Sequence, residues 1–180
     1  MRTKEELIEI ANSLGLSQNG IFDVSKLAFR TEVRDMCAAD RCQMYGKNWA
    51  CPPACGTLDE IREKASHYSW GLVVQKTGQM EDPYDVDVMM ETEKELKEQF
   101  LKFCDVLMEE EKIDCLPMGA GSCTRCKECT YPDAPCRFPE KLFPSMEAYG
   151  LVVSDTCQLA DIPYYYGKNT ITYTCCVLFK

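Results

Sequence analysis

With 180 residues, 46% of them apolar, the chain can bury a real core as one domain over residues 1–180. No apolar run approaches about 18 residues, so no membrane-spanning helix is expected. A formal charge of −9 sets the chain against nucleic acid phosphates and anionic membrane surfaces as partners.

The first ten residues, Met1 to Ile10, are charged and helical in period and lack the apolar stretch of a secretion signal, so a cytoplasmic location is expected. Thirteen cysteines in that reducing compartment point to metal rather than disulfides, and an odd number cannot all pair within the chain. Residues 3–14 read as an amphipathic helix. Thr3 and Glu6 form a capping box, Leu7, Ile8, Ala11 and Leu14 form the apolar stripe, and Gly15 stops it. Ile21 to Phe29 carries no clear signal.

The first cysteine group follows, Cys37, Cys42, Cys51 and Cys55, with Pro52 and Pro53 after the third. Four cysteines in nineteen residues far exceed ordinary usage. Tyr45, Gly46, Trp49 and Gly56 stand among them: glycines let backbone N–H groups approach a sulfur, prolines stiffen the loop, and aromatics can shield a centre from water. The other reading is a Pro/Gly-rich surface turn whose aromatics belong to the core.

Leu58 to Tyr68 reads as a helix containing His67, the one histidine; at a helix end it is weak evidence for zinc or acid–base chemistry. Trp70 to Gln75 reads as a buried strand and Glu81 to Asp87 as an acidic turn. A long helix is expected over about 89–111, with Cys104 on its apolar stripe and Glu109, Glu110 and Glu111 at its unfavourable end, read as solvated with an acidic docking patch as the alternative. Ile113 to Met118 reads as a strand running into Gly119-Ala120-Gly121. A dinucleotide fingerprint fails there, because Thr124 stands where the third glycine belongs and cysteines follow instead of a helix.

The strongest signal is Cys123, Cys126, Cys129 and Cys136, a C-x2-C-x2-C-x6-C run. Two tight turns sharing Cys126 aim three thiolates at three neighbouring corners, which suits a cubane better than one tetrahedral ion. A four-cysteine zinc site usually takes two separate knuckles. The run resembles the ferredoxin pattern of closely spaced ligands and then a more distant one beside proline. A zinc knuckle with a spare thiol is the alternative, and Cys136 could close the same cluster or serve another. Pro144 to Gly150 reads as a short helix, Leu151 to Ile162 as room for a further helical turn with Cys157, and Ile171 to Phe179 as a strand. On that strand Cys175 and Cys176 must point to opposite faces, and both read as core.

Basic residues gather beside the cysteines: Arg34, Arg41 and Lys47 near the first group, Arg125, Lys127 and Arg137 near the second. Either they offset cluster charge or they are ordinary surface charge. A cubane core of about +2 on four thiolates carries about −2, so two would take the chain from −9 to about −13.

With both groups in view the sequence is similar to the cysteine-rich, predicted metal-binding proteins of domain-of-unknown-function family 2284. The matching stretches are Val33 to Cys37, Cys42 to Gly46, Trp49 to Pro53, Cys123 through Pro139, and Pro144 to Ala148 with Gly150. The resemblance covers almost the whole chain. It implies metal binding, of iron–sulfur type, in prokaryotes that live without oxygen, and it implies no particular reaction. The pattern fixes only Cys-Pro-Pro at the third cysteine; without Cys55 the first site keeps three ligands and an open iron.

The expected fold is a single α/β domain: a small mixed sheet of about three to five strands, packed helices, and two cysteine-rich metal-binding loops at one end. The expected function is a soluble [4Fe-4S] protein, with one cluster on the second group and a second on the first, passing electrons to or from a redox partner. The alternatives are an enzyme using an open cluster iron as Lewis acid, and a structural zinc protein that mediates contacts.

Overall fold

A computed structural model describes residues 2–180. A four-stranded sheet runs through the centre in the order β1-β2-β4-β3, with β1 Gln18–Asp23, β2 Trp70–Gln79, β3 Cys115–Met118 and β4 Thr170–Phe179. Every strand pair is antiparallel, so the sheet is not mixed; the one parallel pairing among the described residues is the isolated bridge Gly119–Ser145. The fold is otherwise the single mixed α/β domain expected.

The sheet is buried on both faces, which is why its central strands read as continuous apolar runs rather than alternating ones. On one face Leu72, Val74, Cys175, Val177 and Phe179 meet α1 (Lys4–Ser13) and α4 (Val86–Asp105) through Leu7, Ala11, Leu96, Phe100, Phe103 and Cys104. On the other, Val73, Cys176 and Leu178 meet α3 (Leu58–Ser66), α5 (Val153–Leu159) and the turn carrying Met146 and Tyr149. Cys175 and Cys176 thus do lie on opposite faces. Gly71 sits directly across from Phe22, whose ring would stand 2.2 Å from an added Cβ; the glycine makes room for an aromatic laid over the strand.

Cys104, Cys175 and Cys176 are fully buried, and burial pushes all three thiols up, so they stay neutral and pack as small hydrophobes. Replacing each singly by Ala is expected to leave metal content unchanged and to cost about 1 to 2 kcal/mol of stability, read by denaturant melts. Loss of a metal centre from any one of them would overturn their assignment to the core.

The capping signals hold in detail. Thr3 accepts from the Glu6 N–H while Glu6 accepts from the Thr3 N–H, and Gly15 (φ +88°) follows the end of α1. Thr57 and Glu60 repeat the box at α3, and His67 caps that helix from an exposed position. Three expectations change. The long helix begins at Val86 and widens into a π-helical turn over Val106–Glu110; its closing acids are not merely solvated, since Glu109 pairs with Lys141 at 2.8 Å and Glu111 with Arg2 at 2.7 Å. Pro144 to Gly150 is a hydrogen-bonded turn rather than a helix, closed by Tyr149 N–H to Ser145 and Met146 carbonyls. The unassigned stretch from Ile21 holds the end of β1 and a 3-10 turn at Val24–Lys26, and Thr31–Ala38 forms α2, a helix the sequence did not announce. No helix among the described residues is long and apolar enough to cross a membrane.

Candidate metal centre

The Pro144–Leu151 segment is the scaffold of the site. It is tied to the end of β3 by the Gly119–Ser145 bridge and to the approach of α2 by the Arg30 N–H to Gly150 carbonyl bond at 2.7 Å. Gly150 (φ +80°) permits this, since a Cβ there would stand 2.6 Å from Leu58 and 3.1 Å from the Arg30 carbonyl.

The first cysteine group is arranged against this turn. Cys37, on the last turn of α2, lies 3.9 Å from the Glu147 carbonyl, and Cys55 lies 3.7 Å from the next carbonyl, Ala148. Arg34, one helical turn before Cys37, clamps the arrangement: its guanidinium donates to Ala148 at 2.7 Å and to the Gly56 carbonyl at 2.9 Å, and stands 3.8 Å from the Cys55 sulfur. The loop between Cys42 and Cys51 doubles back through Gly46 N–H to the Pro52 carbonyl at 2.8 Å. Inside it buried Asn48 donates its amide to the Cys51 sulfur at 3.2 Å and accepts from Ala50 N–H.

Burial, then the Glu147 carboxylate, pushes the Cys37 thiol up against the opposing pull of Arg34; Cys42 and Cys55 add to the rise. Burial likewise raises Cys51, opposed by Asn48, and Cys55, opposed by Arg34. Cys42 and Cys55 thus add to the rise at both Cys37 and Cys51. A metal bound there would displace protons from these thiols.

The second group lies in the loop leaving β3. Cys123, Cys126, Cys129 and Cys136 all line one cavity of about 160 Å³. Its wall also carries five cations, Lys47, Arg125, Lys127, Arg137 and Lys141, and no carboxylate. Arg125 has its Nη2 buried without a hydrogen-bond partner. Arg137 donates to the Glu128 carbonyl at 2.8 Å, closing the loop on itself, and Thr130 donates to Pro135. Four soft thiol donors on one cavity, an orphaned buried donor and an anion-seeking wall fit a thiolate-ligated, negatively charged centre.

The two groups share a wall. Met44, Lys47, Asn48 and Trp49, from within the first group's loop, line the second group's cavity. Trp49 donates its indole N–H to the Ala134 carbonyl at 3.1 Å and meets Tyr131 edge-on at 4.9 Å between centroids. Trp49 was expected to shield the first site; it instead joins the two loops. The clamp made by Arg34 had no local sequence signal, because its partners stand at Gly56 and Ala148; Asn48, bonded to Ala50 and Cys51, is a local turn that the sequence reading missed.

All thirteen cysteines are free. Among the described residues no three His, Cys, Asp or Glu side chains gather closely enough to hold a single ion.

No curated protein and no solved structure matches the chain. The family model described as predicted metal-binding protein (DUF2284) matches residues 20–179, a span that takes in both cysteine groups, the Pro144–Leu151 scaffold and all but the start of the sheet. This chain therefore belongs to the predicted metal-binding protein family DUF2284.

Proposed function

We propose that this protein binds [4Fe-4S] clusters and passes single electrons to or from a redox partner, in the reducing interior of a cell that lives without oxygen. Cys123, Cys126, Cys129 and Cys136 hold one cluster. Cys37, Cys42 and Cys51 hold a second, with Cys55 as its fourth ligand. The observation that carries this reading is the cavity on which all four cysteines of the second group meet beneath five cations and no carboxylate. Four thiolates on a cubane leave a net negative centre, and a cationic wall without competing acid favours the reduced, more negative state. When bound, the clusters supply reversible one-electron chemistry. The chain's own part is to hold them, to wall the second one with Trp49 and Phe138, and to set their potential through Arg34, Asn48 and Arg125.

One observation favours a second reading for the first group. The Cys55 sulfur already faces Arg34 and the Ala148 carbonyl. If it stays there, the site has three cysteine ligands and an iron open to a small substrate as Lewis acid.

Metal and acid-labile sulfide analysis of anaerobically purified protein tests the proposal. About eight irons and eight sulfides per chain, with a brown absorbance that bleaches on reduction, is the expected result. A colourless protein holding zinc and no sulfide overturns it in favour of a structural zinc role.

A further inference from the structure

The cationic wall around the second cysteine group carries more charge than a cluster needs. The two cysteine-bearing segments, 41–56 and 123–142, hold six of the chain's 20 cations and only three of its 29 carboxylates. The carboxylates of that second segment, Glu128, Asp133 and Glu140, do not line the cavity. Of the five cations that do, Lys141 is neutralised by Asp105 and Glu109. Lys47, Arg125, Lys127 and Arg137 make no ion pair among the described residues. A four-thiolate cubane contributes about −2, so the mouth stays positive even when the centre is filled.

The same mouth exposes large apolar groups. Met44 and Phe138 both line the cavity and are 38% and 39% exposed, with Arg125 laid over the Phe138 ring at 5.8 Å. Exposed apolar groups within a mainly cationic rim, in which Glu128 is the one adjoining acid, are the build of a protein-docking patch. It is set in a molecule whose overall charge is −9. The net charge opposes an acidic partner while this mouth attracts it, which favours an orientation with the cluster cavity facing the partner.

We propose that this patch docks an acidic one-electron carrier protein, a flavodoxin-type or ferredoxin-type donor or acceptor. The proposal rests on the electron-transfer reading and names the class of partner that reading requires. One electron leaves the reduced carrier and enters the oxidised centre, or the reverse, with no bond made or broken. A nucleic acid would find the same cations. The patch is confined to one cavity mouth, however, and the acid elsewhere opposes a longer polyanion.

The test is stopped-flow electron transfer between the anaerobically purified holoprotein and an acidic flavodoxin, across a range of salt. Attraction at the patch makes the second-order rate fall as salt rises, although both proteins are negative overall. Reversing three exposed charges, Lys47→Glu, Lys127→Glu and Arg137→Glu together, should slow the low-salt rate by at least about tenfold and invert its salt dependence. Because these cations also line the cluster cavity, iron content and the rate with a small uncharged mediator are read in the same variant, and the slowing with flavodoxin should exceed any change with the mediator. A rate that rises with salt in the parent protein, as the net charge alone demands, overturns the proposal. So does a triple variant with full iron and an unchanged rate, and so does salt-sensitive binding of a short single-stranded DNA lost in that variant. Failure of the electron-transfer reading looks different: the purified protein then lacks iron or does not bleach with dithionite, and the docking proposal falls with it.

Discussion

Cys126→Ser is expected to remove one whole metal centre, about four irons per chain, while the sheet and its helices stay folded. Cys126 is the cysteine shared by both short turns of the run, so its loss breaks the two of them at once. It is partly buried on the cavity that the other three cysteines also line, and no neighbouring thiol outside the run lines that cavity to replace it. Serine keeps the size but offers a hard, weakly acidic oxygen in place of a soft thiolate. The fold should survive because the loop lies outside both hydrophobic clusters: neither contains a residue between Ala120 and Phe143. Iron and sulfide counts per chain, with far-ultraviolet circular dichroism as the control, read the outcome. Unchanged metal content with an intact fold would show that the second group is not a site.

Cys37→Ser should lower the count from about eight irons to about four, because the first group then loses the ligand that α2 delivers. Here the geometry makes a sharper statement than the spacing. Cys37 and Cys55 sit against adjacent carbonyls of one turn, and Arg34 links Cys55 to that turn. Cys55→Ser separates the two readings of the first group. If the iron stays but one cluster's electron paramagnetic signal changes, Cys55 is a ligand that serine or water can replace. If neither changes, three cysteines suffice and the open-iron reading gains. A Cys37→Ser protein that keeps all its iron would make the first group structural, and the open-iron enzyme would go with it.

Along the chain, the legible features were those whose physics is local. A capping box needs only residues three apart: Thr3–Glu6 forms as read, and Thr57–Glu60 is a second box of the same local kind that went unread. Continuous apolar runs marked β2 and β4, and the period of two sent Cys175 and Cys176 to opposite faces. The spacing of Cys123, Cys126, Cys129 and Cys136 brought them together on one cavity, because two-residue gaps leave a turn little freedom.

What stayed hidden depends on partners distant in sequence. α2 begins without a side-chain cap and buries only Val33, so its eight residues carry little helical signal of their own. The Pro144–Gly150 stretch has the punctuation of a helix, proline first and glycine last, yet closes as a turn because Gly119 pairs with Ser145 and Arg30 takes the Gly150 carbonyl. Trp49 looked like a shield for its own cysteines until the fold set it against Ala134 and Tyr131. The basic residues were ambiguous in the sequence for the same reason: spacing cannot say which side chains share a surface. The sequence alone determined the spacing of the cysteines, the first cap and the buried strands, each fixed by neighbours within a few residues. Only the tertiary structure decided that the two cysteine loops share a wall and that five cations line one cavity, since both arise where segments some 75 residues apart are folded together.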